Sequence, residues 1–268
     1  MSRAMITQGP VLLTIADGIA HIRLNRPDAS NGMNVELLRA LCDAIMVCHG
    51  EAGIRAVLVT GEGRHFCAGG DVHVFASKGE ALPDYIRQAT SYLQTAVAGL
   101  IHLQAPVIVA VQGFAAGGGG FGLVCAADIV VAGASSKFLA GATRVGMAPD
   151  AGVSVTLPRL VGLRRATMIL LTNPTLSAQD ALDLGIVSRV VPDTDLATEA
   201  MTLAREIAAG APLANAATKR LLWTGLGSSV EDCLPDEART VAELSGTADS
   251  REGLAAVIER RRPVFKGH

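Results

Sequence analysis

The stretch "VQGFAAGGGGFGLVCAAD", Val111 to Asp128, follows a strand-like "PVIVAV" and satisfies G-x-G-x-x-G at Gly117, Gly119 and Gly122. A turn without side chains exposes bare backbone N–H groups, and such groups hold negative charge. That charge belongs either to a phosphate or to an oxygen that becomes anionic only during a reaction. A dinucleotide site requires an acidic residue about 20 positions further on, ending the next strand. Here that strand, "IVVAGAS", ends without a carboxylate, and Asp128 precedes it. The plainest reading has the glycines only letting a helix approach a strand.

A second small-residue turn favours the reaction-dependent oxygen. "HFCAGGD", His65 to Asp71, directly follows the apolar run "RAVLVTG". Two such turns after two core strands can aim two N–H groups at one point. A thioester oxygen placed there gains charge on enolisation, and one well-placed donor is worth roughly 3–4 kcal/mol.

The elements that must position these turns are legible from pattern. "VLLTIADGIAHIRLN" predicts a hairpin turning at Asp17-Gly18. Asn34 precedes an amphipathic helix in which Leu38, Leu41, Cys42 and Ile45 recur at helical spacing. Strands are predicted at 55–61 and 107–111, with a long helix over 83–106 between them, and a short strand at 186–191. "SAQD" at Ser177 reads as a capping box. From about Asp193 the pattern is consecutive helices, so the chain divides into an α/β core over 1–195 and a helical region over 196–268.

Bulk properties narrow the function. A hydrophobic content of 50% fills a large core, and with only 3% aromatics that core relies on close backbone packing. A net charge of -2 with scattered Lys and Arg argues against a nucleic-acid partner. The five cysteines lack C-x-x-C spacing, which fits reduced thiols in a cytoplasmic protein and indicates no metal. Neither a signal peptide nor a membrane-spanning stretch is read, so no membrane insertion is expected.

In combination "IRLNRPDASNGMN", "FCAGGD", "VQGFAAGGGG…AADIVVA", "VGMAPDAG" and "DSREGLAAVIERRRPVFKG" resemble the enoyl-CoA hydratase/isomerase, or crotonase, superfamily over nearly the whole chain. The resemblance implies a crotonase-like spiral of ββα units and a C-terminal helical trimerisation region. It also implies a homotrimer or dimer of trimers acting on acyl-CoA thioesters, with coenzyme A entering as part of the substrate and no separate cofactor. It places oxyanion donors at the N–H of Ala68 and of Gly119, with Gly118 as the alternative because "GGGG" is one residue longer than the usual turn. Main-chain groups around Gly70 and the "RPDAS" segment, including Ala29, would hold the coenzyme A moiety. Arg26 is the candidate for phosphate charge, against a plain solvated surface cation.

The chain departs from the water-adding members of that family. Their two glutamates correspond here to Gly122, or Phe121 in the other register, and to Ala142, neither of which handles a proton. The carboxylate left in a matching segment is Asp150 of "GMAPDAGVS". It is the expected proton carrier, with its pKa raised among Ala, Gly, Met and Val, although the same position suits a helix N-cap. His65, Cys67, Asp71 and Arg144 rank below it, Asp71 chiefly as a helix cap. The resulting expectation is a Δ3 to Δ2 enoyl-CoA isomerase. The alternatives are a hydratase with non-standard acid/base residues and a catalytically weak acyl-CoA-binding protein.

Overall fold

Asp17 and Gly18 both have positive φ, 51° and 77°. That pair makes the tight turn joining the strands Val11–Ala16 and Ile19–Leu24. With Arg3–Ile6 these strands are β1, β2 and β3 of a seven-stranded sheet. The sheet appears in a computed structural model that describes residues 3–268. Its order continues through β4 (Ala56–Gly61), β5 (Val107–Val111), β7 (Ile129–Gly133) and β10 (Arg189–Val191). Pairing is antiparallel from β1 to β3 and parallel from β3 to β10. A second sheet holds β6 (Phe114–Ala116), β8 (Lys137–Leu139) and β9 (Leu176–Ser177).

The central parallel strands β5 and β7 are unbroken apolar runs because helices cover both faces. On one face lie α1 (Val35–Gly50) and α3 (Leu82–His102), which share a core with β2, β3 and α4 (Gly117–Ala126). Asn34 caps α1 by accepting the Leu37 N–H at 2.9 Å. The opposite face is closed by α8 (Leu196–Ala208), whose Leu196, Ala200, Ala204 and Ala208 pack on Leu58, Ile108, Ala110 and Val131. The first helix of the 196–268 region therefore packs as part of the α/β core, and α9 (Pro212–Gly225), α10 (Val230–Ser245) and α11 (Ala248–Glu259) follow it.

Further helices are α2 (Val72–Ala76), α5 (Val153–Val161), α6 (Leu163–Thr172) and α7 (Ala178–Asp183). The capping box at Ser177 forms with Asp180. Two expectations shift. The strand predicted at 186–191 pairs only from Arg189, because Ile186 and Val187 turn back onto Ala181. The helix expected from Ala151 starts at Val153, because Ala151 and Gly152 take left-handed φ of 52° and 76°. Among the described residues no helix is long and apolar enough to cross a membrane.

Both glycine turns leave the carboxyl ends of neighbouring parallel strands, β4 and β5, the edge where an open α/β sheet forms its crevice.

Candidate active site

Three backbone hydrogen bonds stitch the turn after β4 to residues 30–33. The Ala68 N–H donates to Ser30 O at 3.0 Å, Met33 N–H to Gly69 O at 2.8 Å, and Asp71 N–H to Met33 O at 2.9 Å. Met33 thus binds on both sides of Gly70 in a parallel bridge, which turns the Gly70 N–H the other way. That N–H meets no acceptor among the described residues, and Gly70 borders a cavity. The expected first donor changes accordingly. Ala68 touches the cavity, but its N–H is already engaged with Ser30, whereas the N–H two residues later is unclaimed.

The second turn runs into α4 with Ala116 as N-cap and no side chain capping it. Helix geometry leaves the N–H groups of Gly117, Gly118 and Gly119 without intrahelical acceptors, and none donates elsewhere among the described residues. The Ala116 N–H itself bonds Cys67 O at 2.9 Å, which locks the two turns side by side. A methyl built on Gly119 would point at Met33 Sδ, 2.7 Å away, toward the protein interior. One built on Gly118 would lie 1.5 Å from Asp150 Oδ1.

Asp150 therefore packs its carboxyl directly on the Gly118 α-carbon, and one helical turn later Ala151 packs on Gly122. A methyl at Gly122 would lie 2.5 Å from Ala151 Cβ. Small residues at i and i+4 of α4 form the seat for Asp150 and the left-handed kink at 151–152. The N-cap of α5 is Gly152, so Asp150 is not a helix cap. Desolvation by burial raises the Asp150 pKa from its ordinary value, and a hydrogen bond from its own backbone opposes the shift.

These groups converge on one cavity of 390 Å³, lined by Ala68, Gly70, Gly118, Gly119 and Asp150 on one side. Met33, Leu93, Leu139, Met147 and the Phe75 ring make much of the rest apolar. Arg144 and Asp150 are its charged lining residues, and Ala142 also faces it. Asn173, buried and at φ 51°, holds the wall at 141–145: it accepts the Gly141 N–H at 2.7 Å and donates to Thr143 Oγ1. Sequence reasoning passed over Asn173, which carries no sign of its role beyond an Asn at a helix C-terminus. Phe121 lies in the core, 1% exposed.

The expected coenzyme A contacts fare differently. Gly70 and Gly118 border the cavity, while Arg26 and Ala29 are absent from its lining. Arg26 is not a plain solvated cation: its guanidinium pairs with Asp71 at 3.0 Å and donates to Gly32 O. Ala29 is exposed, and its N–H and carbonyl are both engaged inside its own turn. Asp71 caps α2 through the Val74 N–H at 3.1 Å, as expected. Burial pushes the Cys67 thiol up to about 12, which makes it a packing group. His65 accepts the Phe114 N–H at 3.2 Å through Nδ1, and burial lowers its pKa. Glu62 pairs with Arg23 at 2.9 Å.

Comparison with known proteins supplies the chemistry around which such a cavity is built. The family model described as enoyl-CoA hydratase/isomerase matches residues 14–268. A Rhodobacter capsulatus protein named "Probable enoyl-CoA hydratase" is 38% identical over 253 residues, covering 94% of this chain and 96% of its own. The 1,2-epoxyphenylacetyl-CoA isomerase of Escherichia coli is 34% identical over 260 residues, covering 96% and 98%. An enoyl-CoA hydratase crystal structure from Polaromonas sp. JS666 superposes with a TM-score of 0.91 at 30% identity, covering 96% of this chain and 100% of that one.

Proposed function

Because the chain belongs to the enoyl-CoA hydratase/isomerase family, whose expected substrates are acyl-CoA thioesters, we propose that it is a Δ3 to Δ2 enoyl-CoA isomerase with Asp150 as its proton carrier. Relatives are named hydratase more often than isomerase, so the reading rests on this chain's own residues. The observation that carries it is the cavity lining. Among the described residues Asp150 is the one carboxylate there and no histidine accompanies it, while the resemblance puts Gly122, or Phe121 in the other register, and Ala142 at the two glutamate positions of water-adding members. Hydration needs one group to activate water and another to protonate carbon. Moving a double bond needs one carrier that takes a proton and returns it.

In this mechanism the Asp150 carboxylate removes a C2 proton from a 3-enoyl thioester. The C–H pair becomes a C1=C2 bond, and the carbonyl pair moves onto oxygen. The dienolate oxygen lies between the N–H groups of Gly70 and Gly119, with Gly118 as the alternative second donor, and the positive end of α4 favours the charge. Collapse of the oxyanion restores the carbonyl and forms C2=C3, while C4 takes the proton back from Asp150. The reaction is redox-neutral, and coenzyme A enters only as part of the substrate. We further propose a homotrimer or dimer of trimers in the cytoplasm.

The test follows absorbance on 3-hexenoyl-CoA and on crotonyl-CoA, for wild type and Asp150→Asn. Isomerisation is expected in wild type and should fall about 10³-fold in the variant, the usual reach of one acid/base group. Crotonyl-CoA hydration that survives in Asp150→Asn, without isomerisation in wild type, would favour a hydratase using another base. Tight binding without turnover of either would favour a carrier of acyl-CoA.

A further inference from the structure

The turn that carries Gly70 is the last link of a chain of peptide groups that begins at a cation. Nη1 of Arg26 donates to the Gly32 carbonyl. The peptide holding that carbonyl also holds the Met33 N–H, which donates to Gly69 O at 2.8 Å. The peptide holding Gly69 O carries in turn the Gly70 N–H at the edge of the cavity. Both peptides are trans, and a trans peptide points its C=O and N–H in opposite directions within one plane. A hand on the Gly32 oxygen therefore aims the Met33 N–H, and a hand on the Gly69 oxygen aims the Gly70 N–H into the cavity.

We propose that Arg26 positions and polarises one half of the oxyanion hole through the Gly32–Met33 and Gly69–Gly70 peptides. This rests on the reading of Gly70 as an oxyanion donor. A cation on a carbonyl oxygen draws electron density through the amide and strengthens its N–H as a donor. Hydrogen bonds in series add in the same direction, by about 10–30% per link. The charge-assisted first link is the strong one. Arg26 is only 23% exposed, so water screens it less than a surface cation.

Two neighbours hold Arg26 in register, one at the guanidinium and one at the backbone. Asp71 takes its other arm, Nη2, at 3.0 Å and offsets part of the charge from the side away from Gly32. Asn31, fully buried with φ 54°, accepts the Arg26 N–H at 2.8 Å and donates to the carbonyls of Glu62 and His65. The second donor lies in the first turn of α4 and owes nothing to Arg26, so the contribution of Arg26 is partial.

The experiment is infrared spectroscopy of bound 2-hexenoyl-CoA carrying ¹³C at the thioester carbonyl, with turnover of 3-hexenoyl-CoA, in wild type, Arg26→Gln and Arg26→Lys. The carbonyl stretch should drop when wild type binds the ligand. In Arg26→Gln, a neutral donor, it should return part way toward the free value, with kcat about three- to ten-fold lower and KM within about two-fold. Arg26→Lys should fall between the two, since one ammonium cannot serve both Gly32 O and Asp71. A folded Gln variant with the wild-type stretch overturns the relay, and so does a raised KM with intact kcat, the mark of a phosphate ligand. Should Gln fail to fold, a wild-type stretch in Arg26→Lys overturns it instead. A wild type without any stretch change sinks the oxyanion reading itself, a result distinct from failure of the relay.

Discussion

Asp150 joins two demands on one carboxyl: packing against an α-carbon and carrying a proton. Its raised pKa has two consequences of known sign. Removal of a proton needs the ionised form, so kcat/KM should climb as pH rises through the raised Asp150 pKa. It should then level off without a descending limb from a second catalytic group. The folded protein also holds the Asp150 proton more tightly than the unfolded chain does. Its contribution to stability is complete below the unfolded pKa and is lost as pH rises through the folded one. Asp150→Asn should accordingly unfold at higher urea than wild type at neutral pH, an advantage that fades as pH falls through the carboxylate range; equal midpoints at pH 7 would count against it. Asp150 was legible in the sequence because its segment matched a family pattern. The register of the donors was not, since a run of four glycines gives no side chain to count from and only the Ser30 contact shows that Ala68 is engaged.

At the scale of elements, apolar periodicity and capping chemistry located β4, β5, α1 and the Ser177 box, where local and tertiary preferences agree. The two- and three-residue strands of the small sheet escaped notice, because so short a run has no period to detect. Also hidden was the pin that fastens α9 to the sheet. Lys219 Nζ, buried, reaches Asp128 at 2.7 Å and Leu100 O at 2.8 Å, and Trp223 donates to the same Asp128 at 2.8 Å. Desolvation lowers the Lys219 pKa and Asp128 opposes it. Residues 119 positions apart meet there, a distance no local pattern reports. Removing one partner of a buried pair strands the other, so Lys219→Ala should cost about 3–5 kcal/mol in denaturant unfolding. KM for the acyl thioester should hold, because neither Lys219 nor Asp128 borders the cavity.

At the scale of the whole molecule, α6, α9 and α11 leave large apolar side chains in water: Leu163 at 72% exposed, Leu222 at 67% and Ile258 at 81%. A surface of that kind is expected to be covered by self-association. Sedimentation velocity at micromolar concentration should show a species larger than 27.6 kDa, and Ile258→Glu with Leu222→Glu should shift it toward monomer. The seat that α4 offers to residues 150 and 151 also constrains how this architecture could acquire the ability to add water. A glutamate at 122 has nowhere to go while Ala151 Cβ occupies the approach, so carboxylates grafted at 122 and 142 alone would damage the scaffold before creating any new chemistry. Ala151→Gly has to come first, since it vacates that volume and relieves a left-handed backbone strain of about 1 kcal/mol. Divergence between the two activities is thus order-dependent, with an unremarkable alanine as the gatekeeper of the route.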